Sequence, residues 1–447
     1  MTDDRATWED RLNDFNPKAR SQALDALLDL VQRGDIELPE TSNAVNLHIH
    51  TFFSFNGYGY SPTCVAWKAR CAGLAAAAAI DFDVLDATDE FRAACRKVGV
   101  RACTGFESRT YVEEFSEYEM NSPGEPGVAY HIGVGFTSTR PEPLGMLPEL
   151  KATAQARNRG ILERVNPYLK PLDLDYENDV LPLTPGGNPT ERHLCMAYDA
   201  KGRERFRNED ERAAFWAERL GAPPEDIKAM FADPPVFQGF LRSKTMKAGG
   251  VGYVKPEGPD FPPIADVNAF ILDAGAIPTF GWLDGLSSGE RRIEELLDFM
   301  MSGGTAALNI IPDRNWNLKD PGDKKTKVAE LHKIVRLAQE RDLPIVVGTE
   351  MNAYGQRFVD DFSAPEMAPL VEPALEGAYI LHAHTLLQDR HGAGYLSDWA
   401  KGNFDSAAAK NAFFAEVGRI VGPQDENLLD AVSPSQSPQE MLAALAP

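Results

Sequence analysis

Residues 44–51 read Ala-Val-Asn-Leu-His-Ile-His-Thr, a short apolar run that ends in two histidines, His48 and His50. Three similar runs follow within the next ninety residues, at 75–80, 100–106 and 130–136, and helical patterns lie between them at 62–72 and 86–98. Strands that alternate with helices are typical of parallel strands joined by crossovers. The pattern therefore predicts an α/β barrel or an open sheet.

The same rhythm returns late in the chain. Strand-like runs occur at 276–282, 306–311, 343–347 and 378–382, with helical patterns at 290–301 and 325–341. Two separated blocks of this kind predict one barrel that is interrupted in the middle. We expect residues 1–40 to form an N-terminal helical segment, 41–144 the first part of the barrel, 145–250 a charged helical insertion, and 251–447 the second part with C-terminal helices.

Composition narrows the classes of function. The chain has 447 residues, 43% of them hydrophobic, and a formal net charge of −22. Such a charge disfavours nucleic acid as a partner, since phosphate backbones attract basic surfaces. Five cysteines without a CxxC pair predict neither a disulfide framework nor a thiolate zinc site. We expect a cytoplasmic protein without a membrane segment that acts on a small molecule, and the sequence leaves its oligomeric state open.

The His48-Ile-His50 pair gives the strongest indication of chemistry. Alternate residues of a strand point to the same face, so the two imidazoles converge as the ligands of one metal ion do. At the carboxyl end of a barrel strand this predicts an active site. An isolated pair of this kind is also compatible with a structural role.

Further acids and a histidine follow the later strands: Asp81, Asp83, Glu107 and His131. At the carboxyl rim of consecutive parallel strands they would share one basin with the histidine pair. Other roles are open for each: Asp83 as a helix cap, Glu107 as the partner of Arg109, and His131 as a hydrogen-bonded core residue.

These residues resemble the motifs of the polymerase and histidinol phosphatase (PHP) family over residues 44–136 and 275–390. The resemblance lies in His48-Ile-His50-Thr51, in Gly105-Phe-Glu107 and in His131. It implies a distorted TIM-like (β/α)7 barrel of the PHP type with an inserted helical subdomain. It also implies a metal-dependent hydrolase with up to three metal ions.

Four positions depart from the family pattern. Phe55, Phe82, Trp282 and Asn352 stand where the family places metal ligands. Two of these, Phe55 and Phe82, would make one side of the pocket apolar. The departures imply that the third metal site is absent and that the second is incomplete.

The resemblance implies a separate set of ligands for each metal site. The first site would be complete with His48, His50, Glu107 and Glu350. The second would retain Glu107 and His131, with Asp284 as a substitute for the missing histidine. Nitrogen and oxygen ligands without a thiolate suit zinc or manganese, with iron(II) as an alternative.

Other polar residues are candidates for catalysis and substrate binding. Asp81 or Asp83 could orient a ligand histidine or act as a base, and Arg109 could meet a phosphate. The remaining candidates for binding an anionic substrate are Arg242, Lys244, Asp313, Arg314, Asn315 and Asn352. For the group around Arg242, which includes Lys247, a solvated helix face is an equal alternative. A second pair, His382-Ala-His384, is expected to be a rim or structural pair.

Three functional hypotheses follow. The first is a phosphoesterase that uses a metal-activated water on a small phosphorylated substrate. The second is an amide or lactone hydrolase on the same metal barrel. The third is a barrel that binds a ligand without catalysis, which the four departures from the family pattern favour.

Overall fold

The computed structural model describes residues 2–142 and 144–445, and its centre is a sheet of seven strands in chain order. The strands are β1 (Val45–Ile49), β2 (Ala76–Phe82), β3 (Arg101–Tyr111), β4 (Val128–Val134), β5 (Ile277–Trp282), β6 (Ala307–Ile310) and β7 (Ile345–Val347). Neighbouring strands are parallel except at β4, which is antiparallel to both β3 and β5. The predicted strands are confirmed at these seven places, and the expectation of parallel strands throughout is wrong at β4.

The sheet closes on itself to form a nearly complete TIM-like barrel. Beyond the last strand, Glu350 pairs in parallel with Ile49 at the end of β1. The Glu350 N–H donates to the His48 carbonyl at 2.8 Å, and the His50 N–H donates to the Glu350 carbonyl at 2.8 Å. Gly348 permits this approach, because a Cβ atom there would lie 2.4 Å from the His48 nitrogen. The predicted barrel is therefore confirmed, and its seam lies at the histidine pair.

Helices surround the barrel on its outer side. Those before the insertion are α1 (Thr2–Arg11), α2 (Pro17–Gln32), α3 (Pro62–Cys71) and α4 (Thr88–Val98). Between β4 and β5 lie α5 (Leu147–Tyr168), α6 (Glu191–Arg205), α7 (Glu209–Leu220), α8 (Pro224–Met230), α9 (Pro234–Thr245) and α10 (Ile264–Asp273). The remainder are α11 (Ile293–Ser302), α12 (Asp313–Trp316), α13 (Pro321–Glu340), α14 (Val371–His391), α15 (Asp398–Asn403), α16 (Ala407–Ile420) and α17 (Pro438–Leu445). Within the described ranges, none of the helices has the length and apolar character needed to cross a membrane.

The helices α5 to α9 enclose a hydrophobic cluster of their own. Tyr198, Trp216 and Phe237 are among its fully buried side chains. The linker before α6 reaches back to the barrel, where the Asn188 amide donates to the Phe82 carbonyl at 2.7 Å. These five helices thus stand beside the carboxyl end of β2.

The predicted strand at 378–382 is wrong, because these residues belong to α14. This helix contacts β1, β2, β3 and β7, and Tyr379 lies 5.0 Å from the guanidinium of Arg101, the first residue of β3. It therefore covers the barrel end opposite to the histidine pair. Residues on nearly all sides of α14 are buried, so its sequence lacks the polar face that reveals a helix.

Candidate metal centre

A β-bulge near the end of β1 determines where the two histidines point. Asn46 pairs with Ala77 and Ile49 pairs with Ala79, so β1 has one residue more than β2 over this interval. An extra residue of this kind reorients the side chains that follow it. It brings His48 and His50 to the side of the barrel on which Glu107 lies, where β3 pairs with Phe82 at the end of β2.

Three potential ligand atoms converge at this point. His48 Nε2 lies 3.3 Å from His50 Nε2, and Glu107 Oε2 lies 3.7 Å from the first nitrogen and 3.4 Å from the second. All three side chains are buried. Within the described part of the chain, this is the one group of three or more histidine, cysteine or acidic side chains whose ligand atoms all lie within 4.8 Å of one another.

The hydrogen bonds of the histidines leave both converging nitrogens without a proton. His48 Nδ1 lies 3.1 Å from the Asn309 carbonyl oxygen Oδ1, whose orientation is fixed because Asn309 Nδ2 donates to the Val346 carbonyl at 3.1 Å. His50 Nδ1 lies 3.3 Å from Ser54 Oγ, and Ser54 uses its own proton on Asp81 Oδ1 at 2.5 Å. Each Nδ1 is therefore the donor, and each Nε2 presents a lone pair.

The trio fits a divalent cation. Two nitrogens bound at about 2.1 Å in a tetrahedral arrangement stand about 3.4 Å apart, close to the spacing of the two Nε2 atoms. Burial lowers the pKa of His50 to about 4 and raises that of Glu107 to about 7. Two buried lone pairs beside a buried carboxyl are unfavourable by themselves, and a cation between them offsets this cost.

Asp81 lies behind His50 and does not face the trio. Its carboxylate accepts from Ser54 Oγ, from the Thr51 N–H at 2.7 Å and from Thr51 Oγ1 at 2.6 Å. With its oxygens occupied in this way, Asp81 holds Ser54, which in turn orients the His50 ring. The sequence predicted two roles for Asp81. These contacts agree with the orienting role, and action as a base stays a prediction.

Glu350 reaches the centre from the other side of the barrel seam. Its carboxylate forms an ion pair with Arg314 and accepts from Asn352 Nδ2 at 3.0 Å. The backbone of Glu350 and Met351 is left-handed, with φ of 62° and 58°, which is strained for residues other than glycine. The strain lies at the junction that places Glu350 beside the histidines, and its role as a fourth ligand stays a prediction.

Two predicted ligands of the second metal site lie elsewhere. His131 points away from the barrel interior, where its Nε2 lies 2.6 Å from Asn268 Oδ1 of α10. The physical reason is that β4 runs antiparallel, so His131 pairs with Ser108 and not with Glu107. The Asp284 carboxylate forms an ion pair with Lys327 at 2.9 Å. The structure does not bring either residue into the trio, so it lends no support to a second site.

The remaining residues predicted for catalysis or substrate binding separate into two groups by position. Asp83, Arg109, Arg242, Arg314 and Asn352 line one cavity of about 310 Å³, which we call the arginine cavity. Those that do not line it are Lys244, which is exposed on α9, and Asp313 and Asn315 in α12. Asn315 is buried and donates to the Leu283 carbonyl at 3.1 Å, which indicates a structural role.

A second cavity, of about 230 Å³, reaches the trio at Glu107 and is called the metal-side cavity here. Glu107, Glu350 and Asn309 line it. The two cavities share four lining residues, Phe82, Tyr130, Arg314 and Asn352. The trio and the arginine cavity are therefore neighbouring parts of one site, and Phe82 stacks on the His50 ring with a centroid distance of 4.1 Å between them.

Some residues of this site were missed in the sequence. Ser54 carries no motif, and Arg157 and Arg192 resemble the other charges of the helical insertion. Arg192 follows directly after Thr190-Glu191 at the start of α6, where Thr190 is the N-cap. That position was the one available signal, because a helix that begins at a barrel rim points its first residues at the site.

Comparisons with known proteins found distant structural similarity only. The sequence matches no family model, and no curated protein is significantly similar to it. A candidate metal-dependent phosphoesterase from Bifidobacterium adolescentis has 18% identity and a TM-score of 0.46, over 74% of this chain and 96% of that chain. An amidohydrolase from Chromobacterium violaceum with bound sulfate and no metal has 16% identity and a TM-score of 0.45, over the same two shares. The PHP resemblance therefore stays a prediction.

Proposed function

We propose that the protein is a metal-dependent phosphoesterase that acts on a small anionic substrate. One observation carries the proposal: two histidine lone pairs and a carboxylate oxygen converge in a buried position, and Glu107 lines a cavity that shares Arg314 with the arginine cavity. A cation at the trio and arginines beside it are what a phosphate ester requires, because both offset charge on its oxygens.

His48, His50 and Glu107 would hold the metal. When bound, a divalent metal supplies a water of lowered pKa and polarises the ester group. Asn309 and Ser54 contribute by fixing the two imidazole tautomers.

Other side chains would act on the substrate directly. Arg314 lines both cavities, so its N–H donors can orient the phosphoryl oxygens. Phe82 and Tyr130 restrict water at the same boundary. Asp83 lines the arginine cavity, and burial raises its pKa, which suits a group that exchanges a proton with the substrate.

The proposal is tested by removing metal with a chelator and restoring zinc, manganese or iron(II). We expect restored metal to give turnover of phosphomonoesters or diesters, and elemental analysis to find metal in the active protein. Glu107→Gln removes a ligand and should lose both metal and turnover. Asp284→Asn is the matched control and should retain both, because its carboxylate pairs with Lys327.

Other outcomes decide between the remaining hypotheses. Turnover of amides or lactones, with phosphate esters left intact, would replace the phosphoesterase by the second hypothesis. A protein that binds no metal and turns over neither class would contradict the proposal and favour a ligand-binding barrel.

A further inference from the structure

The arginine cavity is strongly basic in a strongly acidic protein. Its charged lining consists of five arginines and one lysine, Arg109, Arg157, Arg192, Arg242, Arg314 and Lys247, against the carboxylates of Asp83 and Glu191. The whole chain has a net charge of −22. Like charges are gathered at some cost to the free protein, so a cavity of this kind is expected to serve an anion.

Most of these cations already have a carboxylate partner. Arg109 pairs with Glu125 at 2.9 Å, and Arg314 pairs with Glu350. Arg242 and Lys247 both contact one oxygen of Glu191 at 2.8 Å. These groups shape the cavity, but part of their charge is offset.

Arg157 and Arg192 differ from the other four. Neither forms an ion pair with a carboxylate in the described part of the chain. Instead, Arg192 lies over the Phe55 ring at 5.4 Å from its centroid, and Arg157 lies over Phe261 at 5.3 Å. An aromatic ring supports the flat face of a guanidinium and leaves its N–H donors at the edge for a ligand.

Neighbouring charges act on both groups in the same way. Burial, followed by the charge of Arg242, lowers the pKa of Arg192 to about 10. Burial and then the charge of Arg109 lower the pKa of Arg157. An anion bound between these groups would relieve the repulsion.

The position of these arginines relative to the trio suggests what the anion is part of. The metal-side cavity adjoins the arginine cavity, and the two share Phe82, Tyr130, Arg314 and Asn352 in their lining. Arg192 is the second residue of α6 and Arg157 lies in α5, so both come from the helices inserted between β4 and β5. One molecule can therefore contact the metal centre of the barrel at one end and the insertion at the other.

We propose that Arg157 and Arg192 form a binding site for a second oxyanion of the substrate, a carboxylate or a phosphate, separate from the ester at the metal centre. The inference rests on the proposed function only for the position of the ester. It names the substrate class as small phosphate esters with a further anionic group, and it assigns the helical insertion the role of selecting them.

The test compares ligands that cannot be hydrolysed. Alkylphosphonates and ω-phosphonoalkanoates of equal chain length differ only in the terminal carboxylate, and bisphosphonates replace that carboxylate by a phosphonate. Calorimetry on the metal-loaded protein should show, at one chain length, a gain of about tenfold or more in affinity from the second anion. The better of the two second anions identifies the natural group.

Variants show which residues provide this gain in affinity from the second anion. Arg192→Met and Arg157→Met should remove it, and each should weaken the plain alkylphosphonate far less than the ligands that carry a second anion. Arg205→Met is the matched control, since Arg205 is exposed at the other end of α6, and it should retain the gain. If a methionine variant does not fold, the wild-type comparison still decides.

Two results would overturn the inference: no gain at any chain length, or a gain that survives both variants. The two proposals can fail separately. A gain from the second anion in a protein without phosphoesterase turnover would retain this site and remove the function. Turnover without a gain would do the reverse.

Discussion

The chain contains two His-x-His sequences, and the structure puts them to different uses. His48 and His50 end a strand, where alternate side chains share a face, and their Nε2 atoms stand 3.3 Å apart. His382 and His384 lie within α14, where residues two positions apart are rotated by about 200°. The same three letters thus bring two imidazoles together on a strand and separate them on a helix.

The helical pair serves the fold. His382 Nε2 lies 3.2 Å from the Val421 carbonyl, and His384 Nε2 lies 3.1 Å from the Gly135 carbonyl, on different neighbours. His384 also accepts from the Tyr395 N–H at 2.9 Å. Both nitrogens of His384 and one of His382 are thus partnered, while His382 Nδ1 is buried without a partner. Partnered nitrogens stabilise the protein, whereas lone pairs that face one another do not.

The largest effect is expected for the strand pair. His48→Ala or His50→Ala removes a ligand from the trio, so bound metal should be lost and turnover should fall by about a thousandfold or more, since a catalytic metal contributes several kcal/mol. Elemental analysis and rate measurement check this. His382→Ala is the matched change in the helical pair and should keep its metal. Equal metal loss in His382→Ala would erase the distinction.

The next effect is on the free energy of unfolding, where the helical pair is expected to matter more than the strand pair. His384→Ala should lower the free energy of unfolding by about 2–4 kcal/mol, because the Tyr395 N–H and the Gly135 carbonyl lose a buried partner and a cavity remains. His50→Ala, measured in metal-free protein, should cost less, because relief of the repulsion between the two Nε2 lone pairs offsets part of the loss of the Ser54 contact and the Phe82 stacking. Urea unfolding monitors both. A larger loss for His50→Ala than for His384→Ala would contradict this assignment.

Sequence patterns predicted the barrel because short apolar runs alternate with helical patterns, and seven of the eight runs are strands. They could not give the direction of β4, since an antiparallel strand has the same alternation as a parallel one. His131 was misplaced for that reason. The run at 378–382 was misread because a buried helix and a buried strand look alike over five residues.

The site residues could be predicted where they lie in or just after a strand that the sequence itself indicates. His48, His50 and Glu107 were found because each follows a recognisable strand, whereas Glu350 was suggested by the family resemblance. Ser54, Arg157 and Arg192 were missed, because only the folded chain brings the hydroxyl to His50 and the insertion to the rim. The β-bulge that turns both histidines toward Glu107 is likewise invisible in the letters 44–51.

A smaller effect is expected for Ser54, whose hydroxyl orients the His50 ring. Ser54→Ala removes the acceptor of His50 Nδ1, so the ring loses its fixed tautomer, and we expect metal affinity to fall by about 10–100-fold. Competition with a chromophoric chelator measures it. Ser243→Ala, an exposed hydroxyl on α9 that donates to the Phe240 carbonyl, serves as the control. Unchanged affinity in Ser54→Ala would mean that the Asp81–Ser54 contact does not act on the centre.

The smallest effect is the contribution of His384 to the pH dependence of the free energy of unfolding. Burial lowers the pKa of His384 from 6.5 to about 4. Between these values the unfolded chain binds a proton that the folded protein does not, so its stability is full above pH 6.5 and falls as the pH falls toward 4. One such group contributes a slope of about 1.4 kcal/mol per pH unit. In metal-free protein, the free energy of unfolding of His384→Gln should therefore depend less steeply on pH than that of the wild type, by about one proton. Identical slopes would show that His384 is already protonated in the folded state, against its acceptance of the Tyr395 N–H.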